Sequence, residues 1–89
     1  MKTIRLIIKG KVQGVFFRAT AKDIAERLGI QGWVRNLPDN NVEIIATASD
    51  ELLAQLIDWC KKGPPRAIVD EVIIEDMEAQ PVKGFRIIR

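Results

Sequence analysis

The spacing of apolar residues along this chain switches from a period of two to about 3.6 and back, twice over, and few folds accept that order within 89 residues. Residues 3–9 are β-branched and partly alternating, with Ile4, Leu6 and Ile8 facing one way and Arg5, Ile7 and Lys9 the other. This is strand one, and Gly10 is expected to end it. After an irregular stretch, Ala21, Ile24, Ala25 and Leu28 fall at i, i+3, i+4 and i+7, a helix that begins near Arg18 and stops at Gly29. Residues 30–36 read as strand two, and Leu37-Pro38-Asp39-Asn40-Asn41 as the turn of a hairpin. Strand three covers residues 42–48, where Val42, Ile44, Ala46 and Ala48 alternate with Glu43, Ile45 and Thr47, as suits a sheet covered chiefly on one face. Ser49 is a good N-cap for a second helix, Asp50 and Glu51 suit its positive end, and Leu52, Leu53, Leu56, Ile57 and Cys60 form its apolar stripe. Lys61 and Lys62 suit its negative end, and Gly63-Pro64-Pro65 stops it. Residues 67–75 then give a fourth strand and residues 84–88 a short last one.

The order β-α-β-β-α-β with a short extra C-terminal strand is the split βαβ, ferredoxin-like plan. It is an α+β two-layer sandwich with two helices on one face of an antiparallel sheet. No repeat, linker or low-complexity tract interrupts residues 1–89, so one domain is expected throughout. A chain of this length buries roughly 60–65% of its unfolded surface, enough for a compact core. Fold by itself does not give chemistry.

Composition narrows the chemistry. There is no histidine, which removes the commonest general base and the usual activator of a Ser or Cys nucleophile. The lone Cys60 cannot form an internal disulfide and sits on an apolar stripe, so it reads as a small buried hydrophobe. Without imidazole or a second thiol, no metal site is expected. No apolar run reaches membrane-spanning length and the Met1-Lys2-Thr3 start carries no secretory h-region, so the expectation is a cytoplasmic protein without membrane association. The net charge is only +2, yet residues 1–35 hold eight Lys/Arg against two Asp/Glu, whereas residues 36–89 hold six against ten. That asymmetry favours an anionic ligand near the N-terminal half.

Topology places such a ligand. In this plan strand two climbs parallel to strand one, so the segment 11–18 and Asn36 leave the sheet at the same end. A loop entering a helix N-terminus offers unpaired N–H groups and the positive end of the helix dipole, a natural oxyanion seat. Gly14 lets the backbone bend there. Arg18 adds a permanently charged fork able to grip phosphate oxygens at two points.

The string Gly10-Lys11-Val12-Gln13-Gly14-Val15-Phe16-Phe17-Arg18 resembles the acylphosphatase signature G-x-V-Q-G-V-x-F-R. Gly29-Ile30-Gln31-Gly32-Trp33-Val34-Arg35-Asn36 is similar to that family's G-x-x-G-x-V-R-N. Val42-Glu43 and Gly63-Pro64-Pro65-Arg66-Ala67 follow at the corresponding places, so the likeness spans the chain. The resemblance implies hydrolysis of the carboxyl–phosphate bond of small-molecule acyl phosphates to a carboxylate and inorganic phosphate, without metal or cofactor. It implies that the backbone of Gln13, Gly14, Val15, Phe16, Phe17 and Arg18 cradles the phosphate or another small anion, that Arg18 binds it, and that Asn36 orients the attacking water. Val15 and Phe17 are expected to be packing residues, and the Gln13 side chain to be solvated with only its N–H in use. Trp33 and Trp59 are expected in packing, and Lys9 and Lys11 as solvated neighbours that raise the local potential. The family reads Asp-Gly after the asparagine where this chain has Asp39-Asn40-Asn41, but asparagine also tolerates positive φ, so the hairpin is expected to survive.

Two other functions fit the same plan. A phosphate-sensing or regulatory domain with the same anion loop would bind without turnover. An RNA-recognition domain shares the element order, but its aromatic signature belongs on strand three, which here has no aromatic residue, so no nucleic-acid partner is expected. A monomer is the default state. Neither the physiological acyl group nor the acceptor of the water proton is specified by these residues.

Overall fold

The computed structural model describes residues 1–79 and 82–88. Its elements are β1 (Lys2–Lys11), α1 (Phe17–Leu28), β2 (Gln31–Asn36), β3 (Val42–Ala48), α2 (Asp50–Lys62), β4 (Ile68–Met77) and β5 (Phe85–Ile88). They build one sheet in the order β4-β1-β3-β2-β5. The first four strands pair antiparallel, and β5 joins the edge of β2 in parallel, which makes the sheet mixed. This is the ferredoxin-like plan with its extra C-terminal strand.

The alternation in the sequence becomes the two faces of the sheet. Ile4, Leu6 and Ile8 of β1, Val34 of β2, Val42, Ile44 and Ala46 of β3 and Phe85 of β5 are buried on one face. There they meet Phe17, Ala21 and Ala25 of α1 and Leu53, Leu56 and Cys60 of α2. The α2 N-terminus is closed as its sequence implies, with the Ser49 hydroxyl accepting from the Leu52 N–H at 3.3 Å. Burial pushes the Cys60 thiol far above its ordinary range, so it stays protonated, in keeping with a packing role.

Several boundaries differ from the sequence expectation, and three of them have a clear physical cause, tertiary at Gly10 and local at Ile30 and Ala67. Gly10 does not end β1. The strand continues to Lys11 through a bulge at Lys9 and Gly10, and a Cβ on Gly10 would collide with the Ile68 carbonyl of β4. Ile30 belongs to the stop of α1, not to β2: its N–H bonds the Ala25 carbonyl at 2.9 Å while that of Gly29 bonds Glu26, a Schellman pair. Ala67 is held in a turn by the Pro64 carbonyl at 2.9 Å, so β4 starts one residue later and runs on to Met77. The hairpin turn survives as expected. Asn40 takes the left-handed conformation at φ 73°, and the Leu37 N–H bonds the Asn41 carbonyl at 2.8 Å.

The face away from the helices carries an ion-pair cluster. Glu43 is only 4% exposed and accepts from Arg5 Nε at 2.7 Å and Arg35 Nε at 2.6 Å, while Arg5 also reaches Glu75 at 2.8 Å. Burial pushes the Glu43 carboxyl up, but the hydrogen bonds and charges of Arg35 and Arg5 outweigh it and hold the group below its ordinary value. A depressed folded value means that this contribution is complete above the unfolded glutamate pKa of about 4.3 and is lost as pH falls through the folded value. Glu43→Gln is therefore expected to cost about 1–3 kcal/mol at pH 7, the partial exposure of both arginines reducing the larger penalty of a fully buried pair. The same variant is expected to flatten the acid limb of stability against pH, as chemical denaturation from pH 7 to pH 3 would measure.

Candidate active site

The chain between β1 and α1 is built so that its backbone stays unsatisfied. Gly14 has φ 73° and Phe16 φ 65°, two left-handed residues separated by one, the kind of backbone alternation that forms anion-binding N–H concavities. For Phe16 that conformation is strained, by on the order of 1–3 kcal/mol, and its ring is 71% exposed, so burial does not compensate for it. Phe16 also holds the N-cap position of α1 without any side-chain cap, and the first turn of α1 carries no acidic residue. The contrast with α2 is internal to the molecule: that helix has a Ser cap and two acids at its start. Among the described residues no hydrogen bond from the backbone N–H groups of residues 14–18 is made. Among the described residues, nothing neutralises the positive end of α1, the kind of place that favours an anion.

A cleft of roughly 360 Å³ opens at this helix end, walled by Val12, Gly14, Phe16, Phe17, Arg18, Ala19, Asn36 and Ile87. Arg18, the second residue of α1, is partly exposed and has no carboxylate partner among the described residues. Asn36, the last residue of β2, pairs with Val42, as does Ile8 of β1. The two strands are therefore not neighbours. They flank the start of β3, about 10 Å apart at the usual strand spacing, and the loop from β1 bridges that gap over the sheet end. Asn36 Oδ1 is buried without a hydrogen-bond partner, and among the described residues no group holds the other end of the amide either. An orphaned acceptor of this kind costs about 1–3 kcal/mol and leaves the orientation of the amide to whatever enters the cleft.

The residues singled out from the sequence divide in two. Gly14, Phe16, Phe17, Arg18 and Asn36 line one cleft; Gln13 and Val15 do not. Val15 is buried, and Phe17 is buried with its ring centroid 5.0 Å from that of Trp59, both as packing. Gln13 departs from expectation. Its side chain is half-buried rather than solvated, and Nε2 donates to the Leu37 carbonyl at 2.9 Å and the Asn41 carbonyl at 2.8 Å, because the loop crosses to the hairpin just there. Val12, Ala19 and Ile87 complete the wall without having been singled out. Val12 lies inside the signature and Ala19 directly follows it, whereas Ile87 arrives through the parallel pairing of β5 with β2, opposite Val34. None of the wall residues is a carboxylate or another side chain able to act as a base near neutral pH.

A family model described as acylphosphatase matches residues 4–87. The acylphosphatase of Thiobacillus denitrificans is 49% identical over 85 residues, covering 96% of this chain and 94% of that protein. The acylphosphatase of Marinobacter nauticus is 50% identical over 82 residues, covering 91% and 89%. Among solved structures, the crystal structure of acylphosphatase from Bacillus subtilis matches with a TM-score of 0.95 over the whole of both chains, at 30% identity. Sequence and fold agree over nearly the full length, and the chain belongs to the acylphosphatase family.

Proposed function

We propose that the backbone of residues 13–18 and the Arg18 guanidinium hold the phosphate of the acyl phosphate, and that the Asn36 amide orients the water that attacks it. The activity itself, metal-independent hydrolysis of acyl phosphates, is that of the family. The observation that carries the residue assignment is a single cleft in which an uncapped helix N-terminus, an arginine without a carboxylate partner and an amide without a hydrogen-bond partner stand together.

In this scheme the water oxygen bonds to phosphorus as the phosphorus–oxygen bond to the acyl group breaks. The electron pair leaves with the carboxylate, and phosphate is the second product. A carboxylate is a good leaving group, so no general acid is required. The loose transition state asks chiefly for charge stabilisation and an aligned nucleophile. Arg18 and the free N–H groups meet the charge. An amide can accept one proton of the water in a hydrogen bond but cannot remove it near neutral pH. With no carboxylate on the cleft wall, the proton passes to a phosphate oxygen of the substrate itself. Every proposed group comes from one chain, so a monomer suffices. A cytoplasmic setting belongs to the same proposal.

The test is hydrolysis of benzoyl phosphate by the purified protein with a metal chelator present throughout. Turnover well above the uncatalysed rate, unchanged by the chelator and competitively inhibited by inorganic phosphate, is expected. Inhibition by sulfate and phosphate that disappears in Arg18→Gln would tie the anion to this cleft. Inhibition that persists unchanged in that variant would place the anion elsewhere and overturn the assignment.

A further inference from the structure

We propose that the side chain of Gln13 is a positioning residue for the reaction, a strut that fixes the strand end bearing Asn36 relative to the phosphate cradle; this rests on the role assigned above to Asn36. The need for a strut follows from the strand pairing. β1 is laddered to β3 only as far as Ile8 opposite Val42, and from there to Lys11 it pairs with β4 alone. β2 ends at the same Val42, from its other side. Beyond that row no backbone ladder joins the cradle to the hairpin, although the two halves of the site must keep a fixed distance.

Gln13 makes the missing connection with both protons of one nitrogen. Nε2 donates to the carbonyls of Leu37 and Asn41, the two ends of the hairpin loop. The same carbonyls accept from Asn40 N–H at 3.2 Å and Leu37 N–H at 2.8 Å, so each uses both lone pairs and the loop is closed before Gln13 grips it. Leu37 is covalently next to Asn36, and Gln13 is the first residue of the cradle. The Asn36 amide has no partner of its own among the described residues, so its place over the cleft is set by its backbone, and that backbone is what Gln13 holds. In-line attack is sensitive to such placement, since a shift of about 1 Å costs on the order of 10²-fold in rate.

The experiment is Gln13→Met, which keeps length and neutrality and removes both donors. Expected are a fall in kcat toward benzoyl phosphate of roughly tenfold to a hundredfold and an inhibition constant for inorganic phosphate changed by less than about threefold, since the cradle N–H groups and Arg18 are untouched. In an Asn36→Ala background the same substitution is expected to cost little further rate, because the group it positions is gone. An unchanged kcat, a phosphate affinity that weakens in step with kcat, or full additivity with Asn36→Ala would overturn the strut. Should Gln13→Met fail to fold by circular dichroism, Gln13→Asn gives the same readout, its shorter amide reaching one carbonyl at most and leaving an intermediate kcat. The two ideas fail separately: normal turnover by Asn36→Ala alone removes the role of Asn36, whereas a slow Asn36→Ala beside a fully active Gln13→Met removes only the strut.

Discussion

Asn36→Ala is expected to lower kcat for benzoyl phosphate by about 10²–10³-fold, the usual cost of removing one preorganised polar group from an active site, while phosphate still inhibits at close to its original concentration. The split follows from what the side chain touches. Asn36 lines the cleft but contributes neither charge nor backbone N–H to the cradle, so ground-state phosphate binding does not depend on it. Loss confined to kcat marks an interaction used in the transition state. The variant should also unfold at the same or a higher denaturant concentration. Its Oδ1 is a buried acceptor without a partner, and deleting it removes a desolvation penalty of about 1–3 kcal/mol, offset in part by the packing lost. A slower and no less stable protein is an outcome that a structural role for Asn36 would not give, since a structural residue loses rate through loss of fold. Turnover within tenfold of the parent, or a stability loss that accounts for the rate, would remove Asn36 from the mechanism.

That unmet acceptor has a counterpart in the strained Phe16 and the uncapped end of α1. Each is a local cost with no compensating contact inside the protein, and all three stand on one cleft. Elsewhere, among the described residues, the local demands are met within the protein. α2 has its Ser49 cap, α1 ends in a paired Schellman turn at Gly29 and Ile30, and the buried Glu43 is matched by two arginines. Unsatisfied groups gathered in one place are what a ligand site requires before its ligand arrives.

How far the sequence reveals this depends on how local each cause is. β3 begins and ends where the alternation of residues 42–48 says, because its side chains must alternate between the helix-covered face and the face where Glu43 and Ile45 are buried. The Ser49 cap and the Gly29 stop are legible for the same reason, their partners lying within four residues. Gly10 misleads because its role is decided by β4, nearly sixty residues away, whose backbone passes too close for any Cβ. The left-handed Phe16 is illegible to propensity, which disfavours that conformation for a bulky residue. Gln13 escapes for a different reason. Its acceptors are main-chain carbonyls 24 and 28 residues on, and a carbonyl leaves no mark in the residue that carries it. Ile87 comes to the cleft only through the parallel strand β5, a pairing that no periodicity specifies.

Arg18→Gln is expected to have the largest effect of any single substitution, a fall in kcat/KM of about 10³-fold or more, comparable with the removal of an arginine from other phosphoryl-transfer sites. In the proposed scheme Arg18, unlike Asn36, meets charge that is present in the bound substrate and greater in the transition state, so KM should rise and kcat should fall together. Inhibition by inorganic phosphate should weaken in parallel. The fold should be indifferent: Arg18 has no carboxylate partner among the described residues, so its removal breaks no ion pair and leaves no buried charge behind, and denaturation midpoints should match within error. Arg18→Lys separates charge from geometry. An ammonium keeps the positive charge but not the planar fork, so it should recover part of the phosphate affinity and less of kcat. Full recovery by lysine would mean that the cleft needs only a point charge, and an unaltered phosphate inhibition constant in Arg18→Gln would place the anion elsewhere and overturn the assignment.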